Sequence, residues 1–214
     1  MKTAYLSLSL LCLPLIASAE TDWYGVISLG KTIESPKLTE ANEQGTIDYP
    51  LDEEGDSGDS SGTTLKNLAV GYHLNKHTAV ELEWQYRPWK AQYASHSYFD
   101  EFNSKNNAFL VNGVYQIPIQ NQIKVYAKGS LGLAQHRNAN SGDQPGFFYP
   151  AKSKMTPALG LGVGIKLDIS KNLGLGLEYR YMDLGKVSNL RPVNSKLSFD
   201  LKATELTGNL YIGF

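Results

Sequence analysis

Glu81, Glu83 and Arg87 stand two and four residues apart, and Glu178 and Arg180 repeat the interval of two. Even spacing puts side chains on one face of an extended strand and scatters them around a helix. Lys124, Lys128, Lys166 and Glu205 occupy matching positions in other stretches. Carboxylates and cations in similar number, turned toward one another in a narrow space, must pair or hydrogen-bond, because an unpaired buried charge is expensive. The chemistry expected of these nine residues is an internal ion-pair network.

Other reactive side chains suggest little. His73, His77, His96 and His136 are scattered, with no pair at a ligand or catalytic spacing, so no metal site and no cofactor is expected. Cys12, the sole cysteine, lies in an N-terminal apolar run, which leaves the exported chain without thiol or disulfide chemistry. Gly55-Asp56-Ser57-Gly58-Asp59-Ser60 has the look of a serine-protease nucleophile stretch. That chemistry needs a positioned histidine base and an oxyanion hole, and an acidic loop supplies neither. Between Thr32 and Thr63, Glu34, Glu40, Glu43, Asp48, Asp52, Glu53, Glu54, Asp56 and Asp59 face only Lys37. The plain expectation is a solvated loop. The sharper alternative is a surface for cations or basic partners at Asp52, Glu54, Asp56 and Asp59, although Ser57 stands where a calcium loop needs glycine.

The elements that must position the charges are strands. Thr78 to Arg87 sets Val80, Leu82, Trp84 and Tyr86 against Glu81, Glu83, Gln85 and Arg87, a period of two. Similar alternation predicts strands over Trp23–Lys31, Leu65–Leu74, Ala108–Ile117, Ile123–Ala134, Thr156–Leu167 and Leu173–Met182, with an eighth ending at Phe214. Leu206, Gly208, Leu210, Ile212 and Phe214 share one face of that last strand. Leu201 and Phe199 fall in the other register, so a bulge or emergence from the membrane is expected near Lys202 to Glu205. The connections alternate long and short. The long ones are about 32–63, 88–105, 135–155 and 183–196; the short ones follow Leu74, Ile117 and Leu167.

Eight strands with long loops on one side and short turns on the other predict an all-β, eight-stranded antiparallel up-and-down transmembrane β-barrel. The aromatic residues of the apolar face support this by their heights. Trp23, Tyr72, Tyr115 and Phe214 gather near the short-turn rim, and Trp84, Tyr86, Phe109, Tyr179 and Tyr181 near the long-loop rim, as lipid-interface girdles do. A soluble β-sandwich would bury the same aromatics in a core but would not sort its loops by side. The opposite, polar face becomes the interior, too narrow in eight strands for more than side chains. A plugged lumen is therefore expected. Gly160, Gly162, Gly164, Gly174 and Gly176 on that face leave room for small water pockets.

The first 19 residues read as a secretory signal: Lys2, an apolar run to Ile16, and the cleavage pattern Ala17-Ser18-Ala19. Residues 20–214 then form one barrel domain. With 20 basic and 21 acidic residues the chain has no general affinity for nucleic acid.

The chain resembles the OmpA-like, opacity-type family of outer-membrane barrels. The resemblance rests on Trp23-Tyr24-Gly25, Glu81-Leu82-Glu83-Trp84-Gln85-Tyr86, Gly160-Leu161-Gly162-Val163-Gly164, Leu177-Glu178-Tyr179-Arg180-Tyr181 and Ile212-Gly213-Phe214, in order over about residues 20–214. It implies residence in a Gram-negative outer membrane among its lipid and lipopolysaccharide. It also implies that the barrel-assembly machinery reads the last strand at Leu210, Ile212 and Phe214. Because the chain stops at Phe214, a barrel-only member is expected, without the peptidoglycan-binding domain of some relatives.

Family purposes range from structural proteins to adhesins, so function is sought in the loops. Trp89, Tyr98 and Phe99 in the second, and Phe147, Phe148 and Tyr149 in the third, are the candidate binding surface for a host or extracellular ligand. Adhesion or envelope integrity is the expected role. The alternatives are a narrow porin and, less favoured, a lipid-modifying enzyme, for which His73 faces inward on the wrong side.

Overall fold

A computed structural model describes residues 22–34, 37–42, 45–49, 63–95, 98–142, 152–190 and 196–214. It contains ten strands: β1 (Trp23–Glu34), β2 (Lys37–Asn42), β3 (Gly45–Tyr49), β4 (Thr63–His73), β5 (Thr78–Ser95), β6 (Tyr98–Pro118), β7 (Ile123–Gly142), β8 (Lys152–Ser170), β9 (Leu173–Leu190) and β10 (Lys196–Gly213). β1 and β4 to β10 pair in sequence, every neighbour antiparallel, and β10 returns to β1 from Tyr24↔Gly213 to Glu34↔Ala203. Closure leaves no open edge at membrane depth, where an unpaired backbone group would cost several kcal/mol. The eight-stranded antiparallel barrel expected from the alternation is the fold.

Four expected long loops are shorter than the alternation suggested. β5 and β6 continue as a paired ladder from Arg87↔Asn106 to Ser95↔Tyr98, so residues expected in a loop, Trp89, Tyr98 and Phe99 among them, are strand. β7, β8, β9 and β10 likewise run past their apolar portions. Above the membrane the outward face meets water and no longer lipid, so the hydrophobic alternation stops while the hydrogen-bond ladder continues. The acidic first loop contains the β2–β3 hairpin, and β2 pairs with β10 from Lys196↔Ala41 to Asp200↔Lys37. Residues 1–19, Asp52, Glu54, Asp56 and Asp59 lie outside the described residues, as do Phe147, Phe148 and Tyr149.

The side chains alternate cleanly. On β10, Leu201, Ala203, Glu205, Thr207, Asn209 and Tyr211 point inward, and Leu206, Gly208 and Ile212 outward. The irregularity expected near Lys202 to Glu205 lies slightly upstream, and the extra residue is on the partner strand. Between Asp200↔Lys186 and Lys202↔Asp183, β10 advances two residues and β9 three. Gly185, at φ 79°, sits in that bulge, where a residue with a side chain would be strained. Leu201 is therefore not turned to lipid. It is 5% exposed and packs inside with Leu110, Met182, Leu184 and Ala203.

Candidate functional site

The lumen is built in layers because inward positions alternate with lipid-facing ones on all eight strands. At the inner end Tyr24, Val26, Ala79 and Tyr211 form a small cluster. Above it lies a charged layer, and above that the apolar cluster around Leu110, Met182, Leu184 and Leu201.

Seven of the nine charged positions read from the sequence meet in the middle layer. Arg180 on β9 reaches Glu83 on β5 through two hydrogen bonds of 2.9 Å, and its Nε donates to Glu205 on β10 at 2.9 Å. Arg87 pairs with Glu205 as well. Lys128 on β7 lies 3.0 Å from Glu81 and 2.8 Å from Glu178. All seven are at most 6% exposed. Four carboxylates meet three cations, and neutral donors supply the remainder. Tyr24 donates to Glu81 at 2.9 Å, Tyr126 to Glu178 at 3.0 Å, and Asn112 to Glu83 at 2.6 Å. Every carboxylate thus has at least one cation and sits in a network where removal of one member strands the others.

Lys124 and Lys166 stand apart from this layer. Both pair with Asp168 near the inner rim, at 2.9 and 3.3 Å, where the groups are partly exposed. The Lys166 ammonium also lies over the Tyr211 ring, 4.7 Å from its centroid. The short connection expected after Leu167 begins later, because β8 carries Asp168 into the wall before the turn at Lys171 and Asn172.

The five inward glycines do not leave water pockets. A methyl group at Gly164 would lie 2.4 Å from the Tyr126 ring, and one at Gly160 2.2 Å from the Met182 sulfur. Arg180, Lys166 and Tyr211 fill the space beside Gly162, Gly174 and Gly176. The glycines are where large side chains from neighbouring strands fold across the lumen.

Several contributors escape a search for charge. Tyr24, Tyr126 and Tyr211 sit on the inward register, so alternation marks their direction but not their bonds. His136 falls in a stretch whose sequence reads as loop, yet it is fully buried in β7, its Nδ1 3.0 Å from Asn106 Oδ1 and its Nε2 2.8 Å from Thr156 Oγ1 and 3.2 Å from the Leu184 carbonyl. It lies above the outer aromatic girdle, outside the membrane-spanning segment, where the outward faces turn polar at Lys105, Asn107, Gln135 and Arg137. Burial holds its pKa down at about 4, with Arg87 and Lys154 adding to the effect against the opposing Leu184 carbonyl. His73 faces inward and packs against Tyr24 with the rings tilted, centroids 4.6 Å apart.

On the outer wall, Trp23, Tyr115 and Phe214 are about half exposed at the inner rim, and Trp23 packs on Tyr72 at 4.9 Å. Trp84, Phe109, Tyr179 and Tyr181 are exposed at the outer rim, and Trp84 stacks on Tyr86 at 6.4 Å. Leu210, Ile212 and Phe214 line the last strand's outer face, and Phe214 N–H donates to the Trp23 carbonyl at 3.2 Å. Among the described residues no group of three His, Cys, Asp or Glu side chains is placed to hold a metal ion.

The sequence matches the family model of the Outer membrane protein beta-barrel domain over residues 3–211. No curated protein matches the chain by sequence. Among solved structures it is similar to OprG from Pseudomonas aeruginosa, with a TM-score of 0.54, 14% identity, and coverage of 92% of this chain and 100% of that one. It is also similar to Neisserial surface protein A, at 0.51 and 15%, covering 91% and 98%. A third likeness is to the outer membrane protease OmpT from Escherichia coli, at 0.50 and 9%, covering 90% and 96%. At these identities the likeness is one of fold.

Proposed function

This chain belongs to the Outer membrane protein beta-barrel domain family and resides in the outer membrane, and from that premise we propose that it is a sealed, non-enzymatic barrel whose work is done at the outer surface. The carrying observation is Arg180, which crosses from β9 to Glu83 on β5 and to Glu205 on β10, with Lys128 doing the same between Glu81 and Glu178. With the glycine positions filled by Tyr126, Met182 and Arg180, little free cross-section remains for solute. The likeness to a protease is one of fold and brings no catalytic group to this chain.

A lumen that carries nothing leaves the outer extensions as the functional surface. The β5–β6 ladder continues for eight residue pairs beyond Arg87↔Asn106, roughly 25 Å along the strands. A paired extension of that length suits adhesion to a host or extracellular ligand, or the packing of the envelope surface. A narrow porin is the competing reading.

Two experiments test this. In planar bilayers the purified protein gives no steady single-channel openings; steady openings overturn the sealed lumen. Variants with a shortened β5–β6 extension lose binding to cells or matrix proteins while keeping a heat-modifiable folded barrel. Undiminished binding in every shortened variant overturns the adhesive role.

A further inference from the structure

The outer wall carries an apolar trough of about 680 Å³ across β1, β4, β5 and β6. Gly25 opens its floor, Leu68, Val70 and Leu82 flank it, and Trp84 and Phe109 stand at its outer end. The trough exists because Gly25 has no side chain on a face where its neighbours have large ones. A methyl group there would meet Phe214 at 3.6 Å, an ordinary contact, so the space can be filled without displacing backbone.

Cations stand beyond that outer end on the same outward face of the wall. Lys105 on β6 is the cross-strand partner of Arg137 on β7, and both are exposed on the outward face. Directly opposed like charges destabilise a strand pair. Among the described residues neither has a carboxylate partner. Lys66, exposed on the outward face of β4, pairs with Tyr86, which pairs with Asn107, so it stands two strands from Lys105 and two residues nearer the girdle. Lys105 lies four residues beyond Phe109, about 13 Å along the strand and roughly 10 Å along the membrane normal once strand tilt is counted. Since Trp84 and Phe109 mark the hydrocarbon boundary, the three cations sit among the lipid headgroups. An unfavourable cation pair at that depth calls for an anion, and an apolar trough leading down from it calls for hydrocarbon.

We propose that this wall holds one phosphate-bearing lipid of the outer leaflet, its acyl chains along the trough and its phosphate between Lys66, Lys105 and Arg137. The site is independent of whether the lumen conducts, so the conductance test and the present one fail separately. Phosphate matches the forked donors of Arg137 and the point charges of the lysines.

Native mass spectrometry of the refolded protein in detergent tests it, with diphosphoryl lipid A, its dephosphorylated form and inorganic phosphate as probes. The wild type retains one diphosphoryl lipid at least about tenfold better than the dephosphorylated form. Lys105→Glu with Arg137→Glu removes that preference, Gly25→Leu weakens retention of both lipids, and millimolar inorganic phosphate displaces neither. The pair Lys105→Gln and Arg137→Gln serves as a milder change, and heat-modifiability on gels verifies folding. Equal retention of the two lipids, unchanged retention by the charge variants, or displacement by inorganic phosphate overturns the proposal.

Discussion

Arg180 and Glu83, 97 residues apart in the chain, face each other across the lumen in a bidentate pair with both hydrogen bonds at 2.9 Å. The same guanidinium holds Glu205 at 2.9 Å, so one side chain ties β5, β9 and β10 together. Arg180→Ala would leave buried Glu83 with no cation and Glu205 with Arg87 alone, and we expect a loss of about 3–5 kcal/mol in urea unfolding from lipid vesicles. Replacing Arg180, Glu83 and Glu205 together by well-packed apolar residues costs much less. A loss below about 1 kcal/mol in the single variant would show that the network does not hold the strands together.

Glycines on the two faces behave oppositely. Gly164→Ala forces a methyl group to 2.4 Å from the Tyr126 ring and costs about 1–3 kcal/mol. Gly129→Ala, on the lipid face with nothing within 4 Å, stays within about 0.5 kcal/mol of the wild type. Equal effects in a denaturant titration would refute a filled lumen at Tyr126.

Acid weakens the outer end of the barrel through His136. Its pKa is about 4 in the folded chain against 6.5 when unperturbed, so the unfolded chain binds the proton first. The contribution to stability is intact above pH 6.5, falls as pH drops toward 4, and levels off below that. The loss is on the order of 3 kcal/mol. Urea midpoints measured for wild type and His136→Gln should converge as pH falls through this window. A constant difference between them would contradict a neutral buried imidazole.

The apolar layer above the charges depends on Leu201. Its side chain is 5% exposed beside Met182 and Leu184, and Leu201→Ala should cost about 2–5 kcal/mol. A neutral result would place the side chain outside the cluster.

Phe214 is tested in cells. Its ring is 47% exposed at the inner rim, so its loss removes little packing. Deleting it should lower surface levels severely while leaving unfolding in detergent almost unchanged. Normal surface levels would remove the assembly role of Leu210, Ile212 and Phe214.

The barrel was legible in the alternation because lipid outside and side chains inside impose opposite demands on successive residues. Wherever both environments act, as from Val80 to Arg87, the pattern names strand, face and direction together. Beyond the aromatic girdle that contrast ends. The ladders past Arg87 and Ala134, and the β2–β3 hairpin within an acidic stretch, therefore looked like loops.

Residue types and parity determined which side chains enter the lumen, Glu83, Lys128 and Arg180 among them. Only the tertiary structure decided which of them meet. Height along the barrel depends on strand register and stagger, and these placed Lys124 and Lys166 with Asp168 at the rim, away from the central network. The tertiary structure also decided where the irregularity falls: the extra residue is on β9 at Gly185, so β10 keeps its alternation and Leu201 stays on the inward face. Direction is a local property of the strand, set by its period of two; partnership across a closed barrel is a property of all eight registers at once.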